Sequence, residues 1–492
     1  MADFTLQALC MLFASMATFL LLYLLLRRRT STESQRVTAP PSPPSLPIIG
    51  HLHLLSDMPH HSFAELARRL GPIFRLQLGR VNAVVISSAR LAELVLKSHD
   101  HVFASRPQLL SARYLSFNCS DVTFSAYGPY WRQARKICVT ELLSAKRVNS
   151  FRLVRDEEVT RLVDAISTRS GSEVDMSELF FSLANDTLCR VAFGKRFMEG
   201  GGEQKKSELV GVLKETQALL AGFCVVTSFL GGSGSTRKHM KQEEREESKE
   251  DFVDVLLRIQ RRGDLEVAIT DDNLKALVLD MFVAGTDTTS AAFEWTMTEL
   301  ARHPGIMRTA QDEVQKVAGS NGEVEESHLQ HLHYLKAVIK ETMRLHPPVP
   351  LLVPRESMEK CVLNGYEIPK GTRVLINTYA IGRDPQSWEN PLEYNPDRFM
   401  YKDIDFKGQD FRFLPFGGGR RGCPGFSFAL ATVEIALARL LHHFEWRLPD
   451  GVGADDVDLT EIFGLATRKK SSLILVPTSK GQGFKGGDAQ IS

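Results

Sequence analysis

The sequence predicts a large, undivided body built on long helices and led by a membrane-spanning segment. Three observations predict it. Residues 273–302 read as one helix about 45 Å long at 1.5 Å per residue. No interior linker or internal repeat marks a domain division, although 492 residues would on length alone suggest about three domains. The stretch from Phe4 to Leu26 carries no charge and is dense in Leu, Met, Phe and Ala.

A formal charge of +1 and 43% hydrophobic content supply a sizeable core and give no electrostatic case for binding nucleic acid. Cys10, Cys119, Cys138, Cys189, Cys224, Cys361 and Cys423 are scattered, with no Cys-x-x-Cys pair. That pattern fits free thiols in a reducing compartment, not a disulfide framework or a zinc site. The pairs His60-His61 and His442-His443 lack ligand spacing with a partner acid or cysteine and read as solvated histidines.

As a helix, Phe4 to Leu26 is about 34 Å long, enough for a hydrocarbon core of about 30 Å. Arg27, Arg28 and Arg29 follow at once, while the other flank offers Asp3 and the terminal amine. The positive-inside rule then puts the rest of the chain in the cytosol. A cleaved signal peptide is the rival reading, but the stretch is long for one and the arginines lie on its wrong side. The same orientation keeps the sequons at Asn118 and Asn185 away from the lumen. Ala39 to Gly50 is rich in proline, which favours a stiff, extended backbone. We read 1–29 as anchor and basic stop, 30–50 as a linker with a proline-rich hinge, and 51–492 as the body.

Trp131 and Arg135 stand four apart, so an indole N–H and a guanidinium share a helix face. For the long helix, Thr270, Asp271 and Asp272 supply the cap and the N-terminal negative charge, and Pro304 ends it. Inside it, Ala284-Gly285-Thr286-Asp287-Thr288-Thr289 is poor helix material and predicts local opening of the hydrogen-bond ladder. Such an opening leaves a groove for a diatomic ligand, with Asp287 and Thr288 passing protons toward it. Read alone, the same residues also fit hydroxyl back-bonding that bends a core helix.

Glu341 and Arg344 share a face of a second helix, with Leu335, Val338, Ile339, Thr342 and Met343 toward the core and Pro347-Pro348 as the stop. Standing alone, such a pair is usually a solvated surface pair worth little. The most informative stretch is Phe416-Gly417-Gly418-Gly419-Arg420-Arg421-Gly422-Cys423-Pro424-Gly425. Its glycines allow tight turns against a flat ligand. Arg421 brings positive charge near the sulfur, and the apolar run from Phe426 reads as a helix whose N-terminus favours an anion. A thiolate held this way suits haem iron.

The spacing of Phe416, Gly419, Arg421, Cys423 and Gly425 resembles the haem-binding loop of the cytochrome P-450 monooxygenases. The proline hinge, Trp131/Arg135, Ala284 to Thr289, Glu341/Arg344 and Tyr394-Asn395-Pro396-Asp397-Arg398-Phe399 resemble further elements of that family, in its order. Details of the 284–289 and 416–425 stretches look most like the large plant microsomal branch that oxidises phenylpropanoids, flavonoids, terpenoids and alkaloids. The resemblance implies a mainly α fold with small β-sheets, one large haem domain behind a membrane helix, and haem b between two long helices. It implies Cys423 as axial ligand to the iron. Phe416, Gly419, Arg421, Gly425, Ala284 and Gly285 would border the cofactor. Trp131 and Arg135 would meet its propionates; Arg106 and Arg355 occupy similar places, with surface charge as the alternative for each. Glu341, Arg344 and Arg398 would form a buried structural network that holds the cysteine loop.

The resemblance further implies a monooxygenase at the endoplasmic reticulum membrane, with Asp287 and Thr288 managing proton delivery. Electrons would come from NADPH through a separate NADPH–cytochrome P-450 reductase, since no dinucleotide glycine fingerprint precedes a helix here. O2 and a small lipophilic substrate complete the partners. Substrate contacts would come from Phe282, Ala284, Leu351, Leu352, Val353 and Leu465, apolar as a dry pocket needs. Plant members generally carry a longer segment where this chain has Gly231 to Glu250, a mixed-charge run. That apparent shortening motivates one alternative, a catalytically impaired haem-binding membrane protein. The other is a haem-thiolate isomerase or dehydratase that needs no reductase, against which the presence of both Asp287 and Thr288 argues.

Overall fold

The computed structural model describes residues 38–196, 250–319, 322–401 and 403–480, with a few isolated positions besides. The expected membrane helix at 4–26 apart from Thr18, Arg27 to Arg29, and the 231–250 run apart from Glu250 lie outside the described residues. Among the described residues no helix is long and apolar enough to cross a membrane.

Helix α1 (Pro59–Leu70) leads into a hairpin of β1 (Ile73–Leu78) and β2 (Val81–Ile86). Helices α2 (Pro129–Ile137) and α3 (Arg152–Ser167), the short strand β3 (Val174–Asp175), and α4 (Met176–Phe193) follow. Next come α5 (Phe252–Arg262), α6 (Asp271–Arg302), α7 (Pro304–Ala318) and α8 (His333–Leu345). Strands β4 (Arg355–Glu356), β5 (Cys361–Leu363), β6 (Tyr366–Ile368) and β7 (Arg373–Ile376) come before α9 (Phe426–His443). The chain closes with β8 (Phe444–Arg447), β9 (Glu461–Ile462), β10 (Arg468–Lys469) and β11 (Ile474–Ser479). The expected fold class, mainly helical with small sheets, is what the structure has.

The main sheet runs β1-β2-β7-β4, parallel only between β2 and β7. Alternate residues of β2 go to opposite faces. Val84 and Ile86 join one apolar cluster, Ala83 and Val85 the other, so the sheet is covered on both sides. The proline-rich hinge is laid along this sheet. The Arg75 N–H donates to the Pro41 carbonyl at 2.8 Å, and buried His51 accepts from the Gln77 N–H at 2.7 Å.

The largest core cluster joins α3, α4, α6, α7, α8 and α9; a second joins α2, α4, α5 and the first turns of α6. Helix α6 therefore runs through both cores. Its start is set by a reciprocal cap, in which Thr270 Oγ1 accepts from the Asn273 N–H and Asn273 Oδ1 accepts from the Thr270 N–H. Pro304 closes it and opens α7.

The expected opening at 284–289 is not there: α6 is helical throughout. Thr288 Oγ1 donates to the Ala284 carbonyl at 2.6 Å, a local bond that lets a poor helix former sit in the helix. Gly285 has a packing reason instead. A Cβ there would lie 2.8 Å from Leu188 Cδ1 of α4, so the missing side chain admits the neighbouring helix. Histidines differ from expectation too. His60 and His442 are buried, and His60 pairs with Glu461, some 400 residues away in sequence.

Candidate active site

Cys423 stands three residues before α9, after a single tight turn at Gly419–Arg421. Its N–H donates to the Phe416 carbonyl at 2.9 Å, which folds the loop back on itself. Gly417 and Gly419 have φ of 67° and 64°, where a side chain is strained. A Cβ at Gly419 would also come 2.3 Å from the Leu96 carbonyl oxygen, so this glycine is required twice over. Asp100 stitches the loop down. Its carboxylate accepts from the Arg420 N–H at 3.0 Å and from Arg420 Nη1 at 2.8 Å, and from Arg355 Nη1 at 3.1 Å. Arg355 also donates to the Gly418 carbonyl at 2.8 Å.

The Cys423 side chain is accessible, yet burial is the largest influence on it and pushes its thiol up. The Gly425 and Phe426 N–H groups at the start of α9 and the Arg135 guanidinium pull the other way. The charge that acts on the sulfur is thus Arg135, where Arg421 had been expected. Arg421 instead donates to the carbonyls of Ala104 (2.7 Å), Val122 (3.1 Å) and Ser125 (2.7 Å), with its guanidinium 4.0 Å over the Trp131 ring. Trp131 Nε1 donates to the Val122 carbonyl at 3.0 Å. Arg106 donates to the carbonyls of Thr123, Val353 and Pro354.

The 121–125 loop that receives these donors is itself fixed by α6. Asp280 accepts from the N–H groups of Val122 (3.0 Å) and Thr123 (3.1 Å) and from Thr123 Oγ1 (2.6 Å). The assembly is rich in buried positive charge. Burial first, then repulsion from Arg355 and Arg135, brings Arg421 down to about 9. Burial, then Arg421 and Arg355, pulls Arg106 far below its ordinary value; burial brings Arg355 to about 10. Burial raises Asp121 to about 7 and raises Asp280 as well, and both acids pull Arg106 back up against the burial and repulsion that lower it. Guanidinium groups that repel one another beside a desolvated cysteine at a helix start fit a dianionic porphyrin bound through a thiolate. Arg106, Arg421 and Arg135 would take the carboxylates and Cys423 the metal, whereas the single N–H of Trp131, expected at a propionate, is already given to the Val122 carbonyl.

Asp287, on the same helix as Asp280, is 1% exposed, and the Arg468 guanidinium of β10 stands 3.7 Å from its carboxylate. Thr288 follows it, its hydroxyl turned to Ala284. Of the expected pocket residues, Val353 and Leu465 pack in one cluster with Val283, Leu279 and Phe124. Phe282 stacks on Phe193 of α4 at 5.3 Å. Leu351 and Leu352 lie elsewhere. Leu351 is 3% exposed in the cluster between α1 and the sheet, and Leu352 packs beside Leu414 and within reach of Gly417. Sequence order put the three side by side, but Leu352 has φ of 50°, which turns consecutive side chains apart.

Glu341 and Arg344 are fully buried and paired through two bonds of 2.7 and 2.8 Å; Arg398 Nε adds a third at 2.9 Å. Arg344 also donates to the carbonyls of Gly382, Pro391 and Glu393, and Glu341 accepts from the Asn395 N–H. The network therefore organises residues 382–398, while the cysteine loop is held by Asp100 and Arg355. Sequence reasoning missed Asp100, Asp280 and Arg468, because each acts on residues far away in the chain and belongs to no local motif.

A mainly helical body with a cysteine at a helix start and a guanidinium cluster beside it is the arrangement of a haem-thiolate protein. The family profile described as Cytochrome P450 matches residues 40–230 and 233–476. The chain is 54% identical to tryptamine 5-hydroxylase of Oryza sativa subsp. japonica, over 94% of each chain. It is 43% identical to premnaspirodiene oxygenase of Hyoscyamus muticus, over 94% of this chain and 97% of that one. A solved zebra fish cytochrome P450 with abiraterone superposes with a TM-score of 0.74 at 27% identity, covering 87% of this chain and all of that one. The chain belongs to the cytochrome P450 family, and it is a monooxygenase whose cofactor is a cysteine-ligated haem fed with electrons by a redox partner.

Proposed function

We propose that the protein hydroxylates a small lipophilic plant metabolite of the phenylpropanoid, flavonoid, terpenoid or alkaloid kind. The observation that carries this reading is the apolar cluster of Val283, Val353 and Leu465, in which Val283 stands one turn before Asp287 and Thr288 on the same helix. Haem bound at Cys423 supplies the activation of O2. The chain's own part is to position and to shield. The apolar cluster excludes water and binds the substrate by its hydrophobic surface. Thr288 Oγ1 and the Asp287 carboxylate hold and move protons into that dry space. Arg468 keeps Asp287 in place. The relative that hydroxylates tryptamine makes an aromatic amine the first substrate to try.

The finer parts of the reading rest on sequence. NADPH–cytochrome P-450 reductase is the electron donor we propose. The apolar 4–26 stretch followed by Arg27 to Arg29 supports a single-pass anchor in the endoplasmic reticulum membrane with a cytosolic body. The family match divides between 230 and 233, where we read the chain as shortened. The test is turnover with that reductase and NADPH against a panel of plant metabolites, tryptamine included, read by mass. A product one oxygen heavier than its substrate is expected. A haem-loaded protein that consumes NADPH but converts nothing across all four classes would overturn the proposal.

A further inference from the structure

The chain carries, away from the haem site, three side chains that nothing in the oxidation chemistry uses. His60 and His61 stand at the second and third residues of α1, and Glu461 begins β9. Glu461 Oε2 lies 2.8 Å from His60 Nε2 and 3.2 Å from His61 Nε2. The three candidate ligand atoms all fall within 4.8 Å of one another. We infer that this trio is a binding site for a transition metal ion of the zinc type.

The geometry is close to what such an ion needs. Tetrahedral zinc with bonds of about 2.0–2.2 Å holds its ligand atoms about 3.3 Å apart. The His60–Glu461 pair has to open by about half an ångström and the His61–Glu461 pair is already near that spacing, while rotamer adjustment of the exposed His61 brings its Nε2, within 4.8 Å of the other two ligand atoms, to the metal. His60 is fully buried and Glu461 nearly so, which fixes two ligands before the metal arrives. The His61 side chain is 43% exposed, leaving an entry path and room for water as a fourth ligand.

The surroundings select the ion. Arg383 lies over the Tyr379 ring at 3.8 Å, and Tyr379 packs against both imidazoles, so a guanidinium charge opposes any cation here. Two nitrogens against one carboxylate, beside that charge, disfavour magnesium and calcium, which want oxygen ligands. Zinc, with its affinity for imidazole, tolerates it. Ligation through Nε2 moves the His60 proton to Nδ1, a buried nitrogen with no hydrogen-bond partner among the described residues. That penalty makes the site weaker than a structural zinc centre. Glu461 opens the strand that leads into Phe463 and Leu465, and Phe463 stacks on His60 at 5.8 Å. A bound ion would therefore clamp α1 to the turn beside the apolar cluster.

The inference is independent of the substrate reading, and its test needs no turnover. Full-length holoprotein in detergent, stripped with chelator, is titrated with zinc chloride in competition with a chromophoric chelator. One zinc equivalent should be retained, about tenfold or more weaker in His61→Ala and weaker again in Glu461→Gln. Excess magnesium should not displace it. Zinc should also raise the melting temperature of the wild type and not of His61→Ala, a surface change that leaves the fold intact. Equal zinc retention by wild type and His61→Ala, or retention by neither, overturns the site.

Discussion

Asp287 and Arg468 are the pair on which proton handling most depends at the level of single side chains. The carboxylate is 1% exposed, and a guanidinium stands 3.7 Å away on a strand 181 positions later in the chain. If Arg468 works by holding Asp287, the two act as a unit and their losses do not add. Asp287→Asn and Arg468→Met should each divert NADPH electrons away from product, and the double variant should be no worse than Asp287→Asn alone. Additive losses would show that Arg468 acts by another route. Much at this scale was legible in the sequence. Cys423 and Gly419 sit in a local pattern whose chemistry can be read from neighbours, while the burial of the Glu341/Arg344 pair followed only from the family resemblance, since alone the pair reads as a solvated one. Arg468, Asp100 and Asp280 were not legible, because their partners are brought together only by the fold.

Among the elements, α8 and the 382–398 segment are held to each other by an ion network whose Glu341 and Arg344 are fully buried. Breaking one member of such a network leaves a buried charge without its partner, which costs about 3–5 kcal/mol. Glu341→Gln should therefore lower the melting temperature of the holoprotein sharply and promote haem loss. An exposed pair, such as Lys97 with Glu93, should tolerate the equivalent change within about 1 kcal/mol. A small effect at Glu341 would contradict the buried network. Helix α6 shows where pattern reading fails at this scale. Its ends followed from Thr270 and Pro304, as local caps do. Its middle was read as an opening because Gly and Thr are weak helix formers. Tertiary packing overrode that preference: Leu188 fills the space at Gly285, and Thr288 back-bonds to Ala284.

For the whole molecule, the buried acids set how stability answers to pH. Glu434 of α9 is pushed up to about 7 by burial, against Lys336 and Lys340 of α8. A carboxyl raised in the folded state binds its proton more tightly there than in the unfolded chain. Its contribution to stability is full below about pH 4.5 and is lost as pH rises through about 7. Glu434→Gln removes that loss, so the variant should gain on wild type by up to about 3 kcal/mol between pH 5 and pH 8. An unchanged gap in thermal unfolding across that range would contradict it. The body itself depends on one further claim, that the Cys423 sulfur at the start of α9 binds the haem iron. Carbon monoxide added to the dithionite-reduced full-length protein tests it most directly. The account predicts the long-wavelength Soret band of a thiolate-ligated haem, absent in Cys423→Ala. A band typical of imidazole ligation, or the same spectrum from Cys423→Ala, would contradict it.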